Sequence, residues 1–256
     1  MPQTDLLTNI RVVLCETSHP GNIGAAARAM KTMGLAELHL VAPRHFPDDQ
    51  AQRRASGAAD VIQNAHVHAT LDEALQGVAL AVACTARPRD MAVEALGARE
   101  AAARMVAVAA AQSAALVFGN ESHGLTTEQV NKCGLIAYIP ANPQYSSLNL
   151  GAAVQVLSYE LRMGAMGVSN AGESEQRILA PHEDVEGFYR HLESAMAATG
   201  FFDPEHPKKL MPRLRRLFAR ASLERDEVNI LRGILKALSR PKNGGSGAAP
   251  SGRVDT

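Results

Sequence analysis

Five short and almost unbroken apolar runs set the limits on what this chain can fold into. They are "IRVVLC" (10–15), "LHLVA" (38–42), "VALAVACT" (78–85), "AALVFG" (114–119) and "LIAYIP" (135–140). Each is short for a helix and too uniformly apolar for a strand with one wet face. Helical patterns lie between them, among them "AAARAMKTMG" and "AREAAARMVAVAAAQ" (98–112). Strands buried on both faces and alternating with helices predict an α/β fold around a parallel sheet. Leu150, Val154, Leu157 and Leu161 recur at helical spacing, so a helix is expected after the last run. The first unit is read as 1–163. Gly, Ser, Asn and Glu then dominate, and 164–180 is expected to be a linker. Residues 181–240 carry helical patterns only, and the tail 241–256 cannot bury a core and is expected to be disordered.

In open α/β sheets ligands bind beyond the carboxyl ends of the strands. Three of those positions carry unusual loops: "HPGNIGAAAR" after the first strand, "GNESHGLT" after the fourth and "PANPQYSSLN" after the fifth. Glycine lets backbone approach a ligand closely, and exposed N–H groups at helix starts donate to a polar one. The same residues also suit plain structure. Ser147, Thr126 or Thr127 can serve as helix N-caps, and Glu121 as a solvated carboxylate. Arg28 lies among the small residues of "GAAARAM", which directs its guanidinium at something anionic or polar.

Other chemistries are disfavoured. Gly21 and Gly24 lack the spacing of a dinucleotide fingerprint, and no phosphate loop of the G-x-x-x-x-G-K-[ST] type occurs. Cys15, Cys84 and Cys133 are too scattered for a disulfide framework or a zinc site and read as buried reduced thiols. His19, His45, His66, His68 and His123 show no ligand-pair spacing, so no metal is assigned. No apolar run reaches the length of a membrane span, and the start "MPQTDLLTN" lacks a basic-then-apolar signal. A cytoplasmic protein is expected.

The formal net charge of zero hides an asymmetry. Lys208 to Lys242 holds eleven Lys or Arg against three Asp or Glu. Leu210, Leu214, Leu217 and Phe218 form an apolar face, with Arg213, Arg215, Arg216 and Arg220 around it. Such a segment is either a solvated helix face or a grip for phosphates.

Asn22-x-Gly24-x-x-x-Arg28, Gly119-Asn120-Glu121-x-x-Gly124-Leu125 and Ser147-Leu148-Asn149 resemble the three motifs of the SpoU branch of the SPOUT RNA methyltransferases. The likeness runs in order over residues 10–162. Through "ETSHPGNIGAAARAMKTMGL", "NPQYSSLNLGAAVQVLSYE" and the late "NILRGIL" it extends to about residue 238, in the manner of members that methylate tRNA. The resemblance implies an S-adenosylmethionine-dependent enzyme acting on the ribose 2′-hydroxyl of the pyrimidine, C or U, at position 32 of the anticodon loop. It also implies a parallel sheet with a deep C-terminal trefoil knot, a homodimer built on the knot helices, and a small all-α tRNA-binding domain. The cofactor residues by position would be Cys84, Thr85, Ala86, Gly119, Ile139, Ser146, Ser147 and Leu148. Arg28 would carry catalysis, Asn22 and Glu121 would support it or the RNA backbone, and Asn149 would brace the knot. The sequence departs from close relatives at Asn120, Ser122 and His123, where basic residues are common. Four competing readings are set beside it: methylation of another RNA or position, a non-catalytic RNA-binding protein, a nicotinamide-binding enzyme, disfavoured by the missing fingerprint, and base methylation through a cysteine nucleophile, disfavoured because no cysteine has an obvious activating partner.

Overall fold

In the computed structural model, residues 3–86, 93–168 and 177–238 are described. The five apolar runs form strands β1 (Ile10–Cys15), β2 (Glu37–Val41), β4 (Val78–Cys84), β6 (Ser113–Phe118) and β7 (Leu135–Tyr138). Two short strands escape the sequence pattern, β3 (His66–His68) and β5 (Ala95–Gly97). All pairings are parallel, in the order β3-β2-β1-β6-β4-β7-β5.

Side chains alternate across the sheet. Ile10, Val12 and Leu14 face one layer and Val13 and Cys15 the other, all with at most 1% exposure, which is why β1 reads as a continuous apolar run. The first layer contains helices α1 (Gln3–Thr8), α2 (Pro20–Met33), α3 (Asp49–Ala55), α4 (Ala59–Gln63), α6 (Ala98–Ala109) and α8 (Leu150–Val168). The second is covered by α5 (Leu71–Ala74) and α7 (Thr127–Asn131). α2 begins at His19, whose Nδ1 accepts from the Gly21 amide, with Pro20 in the first turn, and it ends at Gly34 in the left-handed region (φ 86°). Leu150, Val154, Leu157 and Leu161 of α8 are all buried, as their spacing predicts.

One boundary differs from expectation. α8 continues to Val168, so Gly164 to Val168 are helix rather than linker. Its apolar face still meets the core there, with Ala165 2% exposed, and packing outweighs the helix cost of glycine. The rest of the expected linker up to 176, and the expected tail, lie outside the described residues.

After them come α9 (His182–Ala198), α10 (Leu210–Ala221) and α11 (Arg225–Leu238), which close a small core of their own. Phe188, Tyr189 and Val228 are buried there, and Phe188 meets Phe218 edge-on at 4.9 Å. Gln112 ties this part to the sheet by donating to the Leu179 carbonyl (2.7 Å) and accepting from its amide (2.8 Å).

Candidate active site

The carboxyl ends of β1, β4, β6 and β7 point the same way, so the polar loops that follow them converge. The loop after β6 can turn sharply only because Gly119 has no side chain. A Cβ there would fall 2.1 Å from the Gly124 carbonyl carbon and 2.2 Å from the Leu125 nitrogen. Gly124 completes the turn in the left-handed region (φ 73°). Asn120 is 6% exposed, donates to the Glu16 carbonyl (2.7 Å) and accepts from the Ser122 amide (2.8 Å). It is committed to holding the loop. Gly24 serves packing as well: a Cβ would lie 2.2 Å from the Ala51 carbonyl oxygen, so α2 and α3 touch through backbone.

Glu121 is the hub. One carboxylate oxygen accepts from the Ser18 amide (3.0 Å) and the Ser18 hydroxyl (2.7 Å). The other accepts from the His19 amide (3.4 Å) and the Asn22 side chain (2.8 Å). Partial burial disfavours the charge. The bonds from the Ser18 amide, the Asn22 side chain and the Ser18 hydroxyl outweigh it and bring the carboxyl down to about 2. Asn22 in turn accepts from Asn149 Nδ2 (3.3 Å), and Asn149 Oδ1 accepts from the Gly151 amide (2.9 Å). A single chain of hydrogen bonds thus links one residue from each of the three motif loops. It also settles two caps: Asn149, not Ser147, caps α8, and Thr126 caps α7 in a full capping box with Gln129.

The loops enclose a cavity of about 570 Å³, within the range of small-molecule sites. Its walls include Cys84, Thr85, Ala86, Gly119, Ile139, Ser146, Ser147 and Leu148, all eight of the expected cofactor residues, and Glu121 at the rim. Phe118, Leu150 and Leu157 supply apolar floor. Among the described residues the backbone amides of Ser146, Ser147 and Leu148 have no hydrogen-bond partner. Unpaired main-chain donors beside apolar wall suit a ligand that joins an aromatic base to polar ends, so the donor set fits S-adenosylmethionine. Burial pushes the Cys84 thiol well above its usual range, which makes it a wall rather than a nucleophile. A separate cavity of about 380 Å³ lies between the sheet and the C-terminal helices and holds none of the expected site residues.

Asn22 and Arg28 stand off the cavity wall, Asn22 joined to it through Glu121 and Asn149 and Arg28 by no such bond among the described residues. Arg28 sits on α2 six residues beyond Asn22 and is exposed. Arg215 departs from expectation too. It forms a two-pronged ion pair with Glu186 and lies over the Tyr189 ring at 4.3 Å, so it is an internal strut and not a free cation. Arg213, Arg216 and Arg220 are exposed, and Leu217 of the expected apolar face is 49% exposed. Ser18 and His19 were missed by sequence reasoning. The signal was present in "SHPG", where a histidine before a first-turn proline marks a helix entrance with open amides.

The profile of the SpoU rRNA methylase family matches residues 9–159, and that of the C-terminal domain of the tRNA methyltransferase TrmJ matches residues 183–247. The tRNA (cytidine/uridine-2′-O-)-methyltransferase TrmJ of Escherichia coli (strain K12) is 50% identical over 242 residues, covering 93% of this chain and 98% of that protein. Among solved structures, TrmJ from Z. mobilis ZM4 superimposes with a TM-score of 0.79 at 33% identity, over 90% of this chain and 99% of that one. A probable methylase family protein from Haemophilus influenzae Rd KW20 gives 0.62 at 42% identity, over 91% and 96%.

Proposed function

The chain belongs to the SpoU rRNA methylase family, and on that premise we propose that the cavity behind Glu121 is where a tRNA ribose is methylated. The protein is a tRNA methyltransferase that modifies the 2′-hydroxyl of cytidine and uridine with S-adenosylmethionine as donor. Position 32 of the anticodon loop is the proposed site. The observation that carries the reading is the meeting of all eight cofactor positions in one cavity, closed by the Glu121–Asn22–Asn149 chain.

When bound, S-adenosylmethionine supplies a methyl group already activated on a sulfonium, so the protein's task is mainly to position and to balance charge. Ser146, Ser147 and Leu148 would hold it through their free amides, and Gly119 keeps the opposite wall low. Ionised Glu121 fixes the Ser18–Asn22 helix entrance and with it the start of α2. Arg28 is carried on that helix and faces outward. It would orient a phosphate or the ribose hydroxyl and stabilise developing oxyanion character.

The trefoil knot of the family is inferred for the segment from β6 to α8. It is supported by the non-sequential strand order β6-β4-β7 and by the Ile139–Asn149 loop sharing a cavity with the ends of β4 and β6. A homodimer is supported by Tyr159, Met163 and Met166, which lie on one exposed stripe of α8 at 45–49% exposure. The helices after Leu179 would grip tRNA through Arg213, Arg216 and Arg220. Nuclease digestion and mass spectrometry of tRNA before and after treatment tests the reading. A 2′-O-methylated pyrimidine at position 32 is expected, and a methyl elsewhere overturns the assignment.

A further inference from the structure

We propose that Glu37, His39 and His66 form a binding site for a divalent transition-metal ion of the zinc type. The expectation of no metal ligand came from spacing along the chain. Strand register makes the site instead. Glu37 and His39 are two apart on β2 and share a face, and β3 pairs so that His66 stands beside His39. The Glu37 carboxylate oxygen is 4.0 Å from both His39 Nε2 and His66 Nε2, and the three donor atoms all lie within 4.8 Å of one another.

The independent observation is His39 itself. It is 6% exposed, and its Nε2 is buried with no hydrogen-bond partner, on the side facing Glu37. A buried polar atom without a partner costs stability, and an ion would provide the partner. Its other nitrogen, Nδ1, is 2.9 Å from His68 Nε2. In the tautomer where Nδ1–H donates to His68, the Nε2 lone pair is turned to the site. A second group holding the far nitrogen of a ligating histidine is the usual way such ligands are oriented.

Zinc binds nitrogen and oxygen at about 2.0–2.2 Å, so tetrahedral ligand atoms sit about 3.4 Å apart. The side chains of Glu37 (45% exposed) and His66 (60%) can close that gap by rotating, while His39 stays fixed. Two imidazoles and a carboxylate suit zinc, nickel, copper or cobalt rather than magnesium or calcium. Three protein ligands leave a position for water. Arg11 stands beside Glu37 in the β1–β2 register and repels a cation, so moderate affinity is expected. The site lies at the amino ends of β2 and β3, opposite the carboxyl ends that carry the cavity. It would pin the three-residue edge strand β3 to β2.

The test uses the full chain without a histidine tag, stripped by chelator. Zinc is titrated by calorimetry, and cobalt by its visible absorption. One equivalent with a rise in Tm is expected. His66→Ala and Glu37→Gln, both at exposed side chains, should each weaken binding more than tenfold. His68→Ala should weaken it about 10–100-fold, and His45→Ala should bind like the unaltered protein. No binding tighter than about millimolar, or unchanged affinity in the His66→Ala/Glu37→Gln pair, overturns the proposal.

Discussion

Replacing Glu121 by Gln should loosen the site entrance in a way that depends on pH. The carboxylate accepts four hydrogen bonds from Ser18, His19 and Asn22. Gln keeps the shape but removes the charge and turns an NH2 group toward donors. A carboxyl moved from 4.5 to about 2 gains about 3.4 kcal/mol of native-state stabilisation at full value. Glu121 is partly exposed, and solvent screening cuts this to about 1–2 kcal/mol. For a chain of this size that is a Tm lower by about 2–8 °C at pH 7. Because the folded carboxyl titrates below the unfolded one, its contribution is fully present above about pH 4.5 and is lost as pH falls through about 2. Thermal melts of both proteins at pH 7 and pH 3 measure it, and the gap should narrow at the lower pH. An equal gap at both values would refute the charge-based account. Methyl transfer to tRNA should fall with the loosened entrance, whereas wild-type turnover in Glu121→Gln would detach the network from catalysis.

Arg28→Ala should leave Tm and cofactor affinity near wild type, because the side chain is exposed and off the cavity wall, and should lower single-turnover methyl transfer by roughly 10²–10³-fold. Gly119→Leu should lose cofactor binding together with stability, since its Cβ meets the Gly124 and Leu125 backbone and not only a ligand; calorimetry paired with a melt separates the two effects. Arg213→Glu with Arg216→Glu should weaken tRNA binding and flatten its salt dependence at unchanged Tm. Arg215→Glu should instead lower Tm, because it sets two carboxylates against each other beside Tyr189.

Apolar patterning was sufficient for the parts of this protein that depend on nearest neighbours. The five long strands, the buried stripe of α8 and the loops that carry the site could all be read from it, since burial on both faces leaves an unbroken run and burial on one helix face leaves a 3.6-residue rhythm. The three motifs added a family and a chemistry. β3 and β5 left no such trace, because an edge strand of three residues is held by its partner's backbone and not by its own side chains. Partnership across the fold was decided by tertiary structure alone. Packing chose Asn149 over Ser147 as the cap, turned Arg215 inward to Glu186, drew Ser18 onto Glu121, and set His39 beside His66. Each of these pairs lies far apart in the chain or turns on a backbone angle, and side-chain spacing along a sequence carries no information about which distant backbone will arrive next to it.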